Sequence, residues 1–375
     1  MLLVSPAMRI GITYDLKPAD APAASEPSDL YEELEAIDTI VAIEQVLRRR
    51  GHDVVRLGGG RALLDGLIRG GLAERLDGVF NLAEGFGGRG RESQVPAILE
   101  LLAIPFTGSD APALTLTLDK RVAKLVALDH GLPTPPFRLV PVGETCDDRG
   151  LRYPLFLKPV GEGSSIGIRS RSRCTGPAQL HDLVRSLHAA YHQPVLVEEF
   201  LPGEEYTVGV LGNGDDARAL GVMQIVPSGP LDEFVYSLEY KRDYCVEVRY
   251  HMTDELLRRG AVSPARLRQI HELALAAHRV FECRDISRVD LRCDRYGQVQ
   301  FIEINPLPGL RPGFSDLANL AAGHGWSYDA LVGGILDAAR GRWQAAAPVA
   351  RPSALAALTA AAMPALTGDS SDVLG

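Results

Sequence analysis

Two neighbouring segments in the last quarter of the chain have the pattern of an antiparallel hairpin with one polar face. The segments SRVDLRCD and VQFIEIN alternate polar with apolar side chains. A two-residue Tyr-Gly turn between them would pair Asp290 with Glu303 and Arg288 with Asn305. A four-residue turn would shift this pairing but would keep the polar face. The opposite face would carry Val289, Leu291, Ile302 and Ile304.

The pairing of Asp290 with Glu303 predicts a cation beside them. Two carboxylates opposite each other in a ladder repel, and without compensation one of them would be protonated. A hard divalent cation removes the repulsion, and oxygen donors from Asp290, Glu303 and Asn305 suit magnesium. The alternative is an exposed sheet face with incidental salt bridges. The Asn-Pro end of the second strand, with a glycine soon after it, favours a site.

A glycine- and serine-rich loop follows a strand near the middle of the chain. In FLKPVGEGSSIGI the apolar strand delivers Lys158, and residues 161–167 then supply flexible backbone and two hydroxyls. Successive N–H groups of such a loop can bind phosphate oxygens, and lysine adds a positive charge. A β-hairpin loop that is merely flexible is the alternative. The segment GFGGRG (85–90) fits the dinucleotide pattern, but it follows the third predicted strand, so nicotinamide binding is not favoured.

The first 110 residues alternate strands with helices. RIGITY, HDVVRL and GVFNLA are predicted strands, and the segments between them have helical periodicity. This order indicates a parallel, doubly wound sheet. A length of 375 residues exceeds one ordinary core and suggests two or three domains. The Ala-, Pro- and Ser-rich residues from about 345 predict a disordered tail.

Composition narrows the classes of partner and compartment. The net charge is −9, from 39 Lys and Arg against 48 Asp and Glu, which disfavours nucleic acid as a partner. The five cysteines are scattered without a Cys-x-x-Cys pair, so neither a disulfide framework nor a zinc site is indicated. No apolar run has the length of a membrane span, and the first residues lack a signal-peptide pattern. A cytoplasmic location is therefore expected.

Several spaced motifs together resemble the ATP-grasp superfamily, and within it the D-alanine–D-alanine ligase family. They are AILELLAIPFTGSDAPALTLTLDK, FLKPVGEGSSIGI, VLVEEFLPGEEYTVGVLG and RVDLRCDRYGQVQFIEINPLPG, and the resemblance covers most of residues 8–340. It implies an α/β protein with three domains. An N-terminal, Rossmann-like domain (8–118) with a doubly wound parallel sheet would precede two α+β domains (119–208 and 209–342) that sandwich ATP. Residues 343–375 would form the disordered tail.

The resemblance also implies roles for individual residues. The residues that would contact ATP are Lys120, Lys158, Gly163, Ser164, Ser165, Glu198, Glu199, Phe200, Leu201, Glu205 and Lys241. The ligands of two magnesium ions, for which manganese can substitute, would be Asp290, Glu303 and Asn305. The catalytic groups would be Arg288 and an N–H near Gly309 at the oxyanion, with Ser164 and Lys241 at the transferred phosphoryl group.

The implied chemistry joins a carboxylate to an amine in two steps. The carboxylate attacks the γ-phosphate of ATP and gives an acyl phosphate and ADP. The amine then attacks the carbonyl carbon and phosphate leaves. Phosphoryl transfer needs positioning and charge neutralisation, and a reactive acyl phosphate must be kept from water. The glycine-rich loop and the segment SGPLDEFVYSLEYKRDY are therefore predicted lids.

The amino-acid subsites depart from the family pattern. The expected glutamate for the first substrate's ammonium falls near Glu32, with Glu33 and Glu35 beside it, and the usual His-Gly pair is replaced by Glu84 and a glycine. The usual central-loop tyrosine is replaced by Arg242, with Tyr240 close to it. Ser315 and Arg311 are candidates for gripping a substrate carboxylate. These departures leave the identity of the amino acids open.

Three functions are compatible with these residues. The first is a ligase that makes D-alanyl-D-alanine for peptidoglycan, or another dipeptide or amide in specialised metabolism. The second is an ATP-grasp kinase that phosphorylates a small molecule and stops. The third is a nucleotide-binding protein without catalysis, against which the intact Asp290, Glu303 and Asn305 set argues. A homodimer acting on small-molecule amino acids is expected from the family.

Overall fold

The computed structural model describes residues 6–242 and 248–345, with the side chains of residues 241 and 242 excepted. Its N-terminal part is a parallel sheet in the order β2-β1-β3, as the alternation of strands and helices predicts. The strands are β1 (Arg9–Tyr14), β2 (Asp53–Arg56) and β3 (Gly78–Leu82). The helices are α1 (Ile37–Arg49), α2 (Gly60–Ile68), α3 (Gln94–Leu101) and α4 (Ala111–Leu118).

A second unit is built around an antiparallel sheet in the order β4-β7-β5-β6. Its strands are β4 (Phe137–Val140), β5 (Leu155–Pro159), β6 (Arg173–Cys174) and β7 (Val195–Glu199), and its helices are α5 (Lys120–Asp129) and α6 (Pro177–Tyr191). The Asp119 carboxylate caps α5, because it accepts hydrogen bonds of 3.1 Å from the N–H groups of Arg121 and Val122. The cap fixes Lys120 in the first turn of α5.

The third unit contains an antiparallel sheet in the order β10-β9-β8-β11-β12. Helix α9 packs on one face and α10 on the other. The strands are β8 (Glu205–Leu211), β9 (Arg218–Pro227), β10 (Val248–Met252), β11 (Ile286–Cys293) and β12 (Val299–Asn305). The helices are α7 (Leu238–Arg242), α8 (Thr253–Arg258), α9 (Pro264–Val280), α10 (Asp316–Gly323) and α11 (Tyr328–Ala345).

These elements refine two of the expected boundaries. Strand β8 pairs with β9 and β11 along its whole length, so we place the boundary between the last two units just before Glu205 rather than after residue 208. Helix α11 continues to Ala345, and the Trp343 indole N–H donates to the Phe106 carbonyl at 3.1 Å. Residue 343 is therefore part of the folded unit and not of a tail, and residues 346–375 lie outside the described part of the chain.

The hairpin of β11 and β12 has the predicted pairs. Asp290 pairs with Glu303 and Arg288 pairs with Asn305. The register then shifts immediately after Asp290, so that Leu291 pairs with the residue two positions before Glu303. The shift is a bulge in β12, which places two residues of that strand against one of β11.

The turn of this hairpin differs from the predicted two-residue turn. Asp294 accepts a hydrogen bond from the Gly297 N–H and donates its own N–H to Gln298, so three residues lie in the loop. Gly297 has a φ of 73°, in the left-handed region that favours glycine. The bulge compensates for the longer turn and restores the predicted pairs. It also turns Ile302, which was predicted to face the core, toward the cavity described below.

The segment between β1 and α1 contacts the second unit instead of extending the helix. The periodicity of LYEELEAIDTI predicts a helix there, but α1 begins only at Ile37. The carboxylate of Asp29, which is fully buried, accepts hydrogen bonds from the Gly167 N–H at 2.9 Å and from Arg169 at 2.8 Å. These contacts hold the segment against the glycine- and serine-rich loop.

Candidate active site

An open cavity of about 860 Å³ lies between the second and third units. Strands β5 and β7 form one wall, strands β8, β11 and β12 form the other, and the glycine- and serine-rich loop covers one side. Most of the residues that the sequence predicts for ATP, metal and catalysis meet here. They are Lys120, Lys158, Gly163, Ser164, Ser165, Glu198, Glu199, Phe200, Leu201, Glu205, Arg288, Asp290 and Glu303.

The carboxylate of Asp290 is held in place on the polar face of β11. Arg288 contacts it at 2.9 Å through Nη2, and the Thr207 hydroxyl donates to it at 2.9 Å. Burial opposes the charge of Arg288, but the Asp290 carboxylate outweighs it and raises the pKa of Arg288. Arg288 therefore remains a cation in the cavity. Its Nη1 has no hydrogen-bond partner among the described residues.

Glu303 lies across the hairpin, with Lys120 as its neighbour. Lys120 Nζ lies 3.6 Å from Glu303 Oε2 and also donates to the Glu162 carbonyl. Asn305 lines a second, small cavity, which shares Lys120, Gly163 and Glu303 with the first. Two carboxylates and an amide oxygen from the two strands of the hairpin have the donor chemistry of a magnesium site. The chain supplies no third carboxylate, His or Cys to a metal group within its described part.

A buried network of two lysines and one glutamate forms the floor beside β5 and β7. Glu198 contacts Lys158 at 2.9 Å and Lys124 at 2.7 Å, and Lys124 also donates to Thr134 at 2.7 Å. Burial, only partly offset by Glu198, lowers the pKa of Lys124 to about 8. The Glu198 carboxylate is thus paired with two ammonium groups.

Two further carboxylates at this end of the cavity are also paired. Glu199 contacts Arg152 at 3.1 Å, and Glu205 contacts Arg292 at 3.1 Å. The Arg292 guanidinium lies over the Phe200 ring at 4.7 Å from its centroid, a cation–π geometry. The cavity therefore has an aromatic and aliphatic wall near Phe200, opposite the charged end at Asp290.

The glycine- and serine-rich loop is bent sharply and is held by the N-terminal unit. Ser164 and Ser165 have φ values of 46° and 62°, an uncommon region for residues other than glycine. The Gly163 N–H donates to the Glu33 carboxylate, and Arg91 donates to the Gly161 carbonyl at 2.7 Å. Both anchors come from the first 118 residues, so the loop position depends on the N-terminal unit.

A group of acidic side chains surrounds Arg91 behind this loop. Arg91 Nη2 contacts Glu33 at 2.5 Å. Burial, followed by the Glu92 and Glu33 carboxylates, raises the pKa of Glu84 well above its usual value. Burial, followed by the Glu33 carboxylate, raises the pKa of Glu92 to about 7. The group therefore carries more negative charge than Arg91 can balance when all three acids are ionised.

Glu92→Gln is expected to stabilise the protein at pH 8 but not at pH 4.5. The folded-state pKa of Glu92, about 7, lies above the value of 4.5 for a free carboxyl. The folded state therefore holds its proton more tightly, and wild-type stability falls as the pH rises from 4.5 to 7. A neutral glutamine avoids this loss, which is roughly 1–3 kcal/mol. Urea unfolding at both pH values measures it, and an equal effect at both would contradict the assigned environment.

Comparison with known proteins identifies the family. A family model described as D-ala D-ala ligase C-terminus matches residues 127–337. The D-alanine–D-alanine ligase of Geobacter sulfurreducens is 36% identical over 72% of this chain and 78% of its own length. The chain belongs to the D-alanine–D-alanine ligase family. The ligase of Xanthomonas axonopodis pv. citri is 34% identical over 78% of the chain and 86% of its length. An uncharacterized protein of Sinorhizobium fredii is 35% identical over 85% of this chain and 91% of its own length.

A solved structure supports the predicted fold. The D-alanine–D-alanine ligase of Bacillus anthracis in complex with ATP superposes with a TM-score of 0.66 at 19% identity, over 91% of this chain and all of that one. The expected ATP-grasp fold is therefore confirmed. Family membership makes the chain an ATP-dependent ligase that forms C–N bonds, as the motifs predict. None of the helices in the described residues is long and apolar enough to cross a membrane.

The structure gives the adjacent glutamates Glu32 and Glu33 different surroundings. Glu32 pairs with Lys17 at 3.3 Å, near the surface. Glu33 reaches the loop at Gly163 and contacts Arg91. Sequence spacing alone could not separate two adjacent glutamates in a segment without regular structure.

Other predicted substrate residues lie outside the main cavity. Ser315 Oγ accepts the Arg311 N–H at 3.0 Å, and a Cβ added to Gly309 would lie 2.9 Å from this hydroxyl oxygen. The Arg311 guanidinium stacks on Phe314 at 5.0 Å. Tyr240 packs edge-on against Phe234 at 5.0 Å instead of pointing into the cavity. The side chains of Lys241 and Arg242, for which roles were also predicted, lie outside the described part of the chain.

Three residues of the site were not predicted from the sequence. Thr207 and Lys124 contact the predicted groups directly, and Tyr236 lines the cavity, where its hydroxyl donates to Asp316 at 3.1 Å. Lys124 could have been found from its position four residues after Lys120 on one helix, which places both on the same face.

Proposed function

We propose that this ligase joins two amino acids through an acyl-phosphate intermediate at the cavity described above. One observation supports the proposal. The predicted phosphate-binding lysines and the glycine- and serine-rich loop line the same cavity as Asp290 and Glu303. Phosphoryl transfer and amide formation both need this combination of positive charge, flexible N–H donors and metal-binding carboxylates. A kinase would need no site for an amine.

In the first step, a substrate carboxylate oxygen attacks the γ-phosphorus and ADP leaves. Lys158, held by Glu198 at 2.9 Å, and Lys120 would neutralise phosphate charge. The N–H groups of Ser164 and Ser165 would bind the phosphate oxygens from the other side, since that of Gly163 donates to Glu33. Because Lys158 is almost fully buried and has its partner fixed, it is oriented before the nucleotide arrives.

Magnesium would be held by Asp290, Glu303 and Asn305. When bound, it would neutralise charge on the phosphates and polarise the transferred group. Manganese would substitute because it accepts the same oxygen donors. The donor set fits two ions only if phosphate oxygens and water complete the coordination.

In the second step, the amine nitrogen attacks the acyl carbon and inorganic phosphate leaves. Arg288 would stabilise the oxyanion, since its Nε and Nη2 are committed to Asp290 and its Nη1 remains available. An N–H near Gly309 would be the second donor. The loop at residues 161–167 would exclude water from the acyl phosphate. The predicted lid at 228–244, of which residues 243 and 244 lie outside the described part of the chain, would close over it.

The relatives named D-alanine–D-alanine ligase suggest that the product is D-alanyl-D-alanine for peptidoglycan. Glu84 stands where the family usually has a histidine, and this favours another pair of amino acids. The alternative is therefore a different dipeptide or amide for specialised metabolism. We also propose a cytoplasmic homodimer, because members of the family are commonly dimeric.

Phosphate release with paired amino acids tests this function. Purified protein with ATP and Mg²⁺ is expected to release phosphate only when an acyl donor and an amine are both present, and mass spectrometry should show the condensed product. A panel of D- and L-amino acids would identify the pair. A phosphorylated product formed without an amine would show that the protein is a kinase instead.

A further inference from the structure

The main cavity has an order along strand β11 that matches the parts of a nucleotide. Asp290 and Arg292 line the cavity two residues apart on one face of this strand, which separates them by roughly 7 Å. Asp290 lies at the charged end, which suits phosphates, and Arg292 lies over the Phe200 ring in the aromatic and aliphatic wall, which suits a purine. A nucleotide that spans both ends places its ribose between them. Glu205, directly opposite Arg292 in the β8–β11 ladder, borders this middle part.

The guanidinium of Arg292 is held by backbone groups from two other segments. Arg292 is only 6% exposed. Its Nε donates to the Gly203 carbonyl at 3.1 Å. Its Nη2 donates to the Leu231 carbonyl at 3.2 Å and to the Phe234 carbonyl at 2.8 Å. A planar group that is bonded to three carbonyls and stacked on an aromatic ring has a fixed orientation.

The remaining nitrogen of Arg292 holds Glu205. Nη1 donates to Glu205 Oε2 at 3.1 Å, and the Glu205 side chain is 13% exposed. A carboxylate accepts several hydrogen bonds through its two oxygens. The contact with Arg292 therefore sets the direction of this carboxylate and still allows it to accept hydrogen bonds from a ligand in the cavity.

We propose that Arg292 is a positioning residue that makes the cavity select ribonucleotides, because it fixes the Glu205 carboxylate toward the ribose hydroxyls. The direction of the carboxylate is set before the nucleotide arrives, so little ordering cost remains on binding. A nucleotide without these hydroxyls would leave the carboxylate facing a group that cannot donate. The inference rests on the nucleotide binding of the function proposed above and is independent of which amino acids are joined.

Binding of ADP and of 2′,3′-dideoxy-ADP tests the proposal without any amino acid. Isothermal titration calorimetry with Mg²⁺ present gives the two dissociation constants. We expect the wild-type protein to bind the dideoxy nucleotide about tenfold or more weakly, because hydrogen bonds to a charged group are lost. Arg292→Lys keeps the positive charge but cannot hold three carbonyls and a carboxylate in one plane, so the ratio should fall to about threefold or less.

Two further variants separate positioning from direct contact with the ribose. Glu205→Gln is expected to lower the ratio, because a neutral acceptor forms weaker hydrogen bonds than a carboxylate. If Arg292 acts through Glu205, adding Arg292→Lys to Glu205→Gln should change the ratio by less than about twofold. Arg292→Gln, whose amide can still donate to a carbonyl, is a second variant for which the same fall as in Arg292→Lys is expected. Melting temperatures show whether each variant is folded.

Arg342→Lys is the matched control. Arg342 also joins a carboxylate, that of Asp285 at 2.7 Å, to two backbone carbonyls. It is not among the residues that line the main cavity. The control should therefore keep the wild-type ratio of dissociation constants even where its melting temperature falls.

The possible outcomes separate this inference from the proposed function. Equal affinity of the wild-type protein for both nucleotides would overturn the inference. An Arg292→Lys protein that binds both nucleotides more weakly but keeps the wild-type ratio would also overturn it, since this is the result of a merely structural role. A further fall of the ratio in the double variant would show that Arg292 contacts the ribose itself. An absence of phosphate release with every pair of amino acids would overturn the proposed function, whereas these affinities would still decide the inference.

Discussion

Asp290→Asn is expected to lower kcat/KM for phosphate release by about 10³-fold. The substitution keeps the shape of the side chain and its contact with Thr207, but it removes the charge that a divalent ion needs. It also leaves Arg288 without the carboxylate that it contacts at 2.9 Å. The Mg²⁺ concentration required for half-maximal rate is expected to rise as well, which a merely structural role of Asp290 would not cause.

The control for this prediction is Asp65→Asn. Asp65 is exposed and pairs loosely with Arg69 at 3.6 Å, so its loss should leave turnover unchanged. Steady-state kinetics at several Mg²⁺ concentrations, with melting temperatures for both variants, make the comparison. Turnover of Asp290→Asn at the wild-type rate would contradict the assignment of Asp290 as a metal ligand.

Glu198→Gln is expected to lower the free energy of unfolding by roughly 3–5 kcal/mol, the usual cost of removing one partner from a buried ion pair. The glutamate compensates two lysines at 2.9 Å and 2.7 Å. Burial opposes the charge of Glu198, but Lys124 and Lys158 outweigh it and lower its pKa. A glutamine would leave two ammonium groups close together in a dry environment. Urea unfolding at pH 7 measures the difference.

Lys124→Met is the matched control for this network. It leaves Glu198 and Lys158 as a neutral pair, and it removes an ammonium group whose pKa burial already lowers to about 8. We expect its effect on unfolding to be less than half that of Glu198→Gln. Equal effects for the two variants would show that packing, and not charge, dominates at this position.

The paired carboxylates were predictable because strand alternation leaves few choices. Once a hairpin was assigned to SRVDLRCD and VQFIEIN, the polar face followed from the period of two. The two-residue turn was wrong, yet the Asp290 and Glu303 pair was right, because a bulge next to Asp290 cancels the extra loop residue. Alternation constrains the face of a strand more tightly than it constrains the turn.

The acidic group around Arg91 could not be predicted from local patterns. Glu33, Glu84 and Glu92 come from an irregular segment, a strand end and a short helical turn, and only the tertiary fold brings them together. The different surroundings of Glu32 and Glu33 could not be predicted for the same reason, because irregular backbone has no period from which a facing direction follows. The GFGGRG segment fits a dinucleotide pattern that its place after the third strand already disfavoured, and the two residues that follow it, Arg91 and Glu92, belong to this acidic group.

The anchoring of the 161–167 loop has a consequence for the order of events in a catalytic cycle. Glu33 and Arg91 belong to the N-terminal unit. Glu33 accepts a hydrogen bond from the Gly163 N–H, and Arg91 donates one to the Gly161 carbonyl. Lifting this loop from a nucleotide therefore requires these two contacts to break. Opening of this loop would thereby be coupled to the part of the N-terminal unit that carries Glu33 and Arg91.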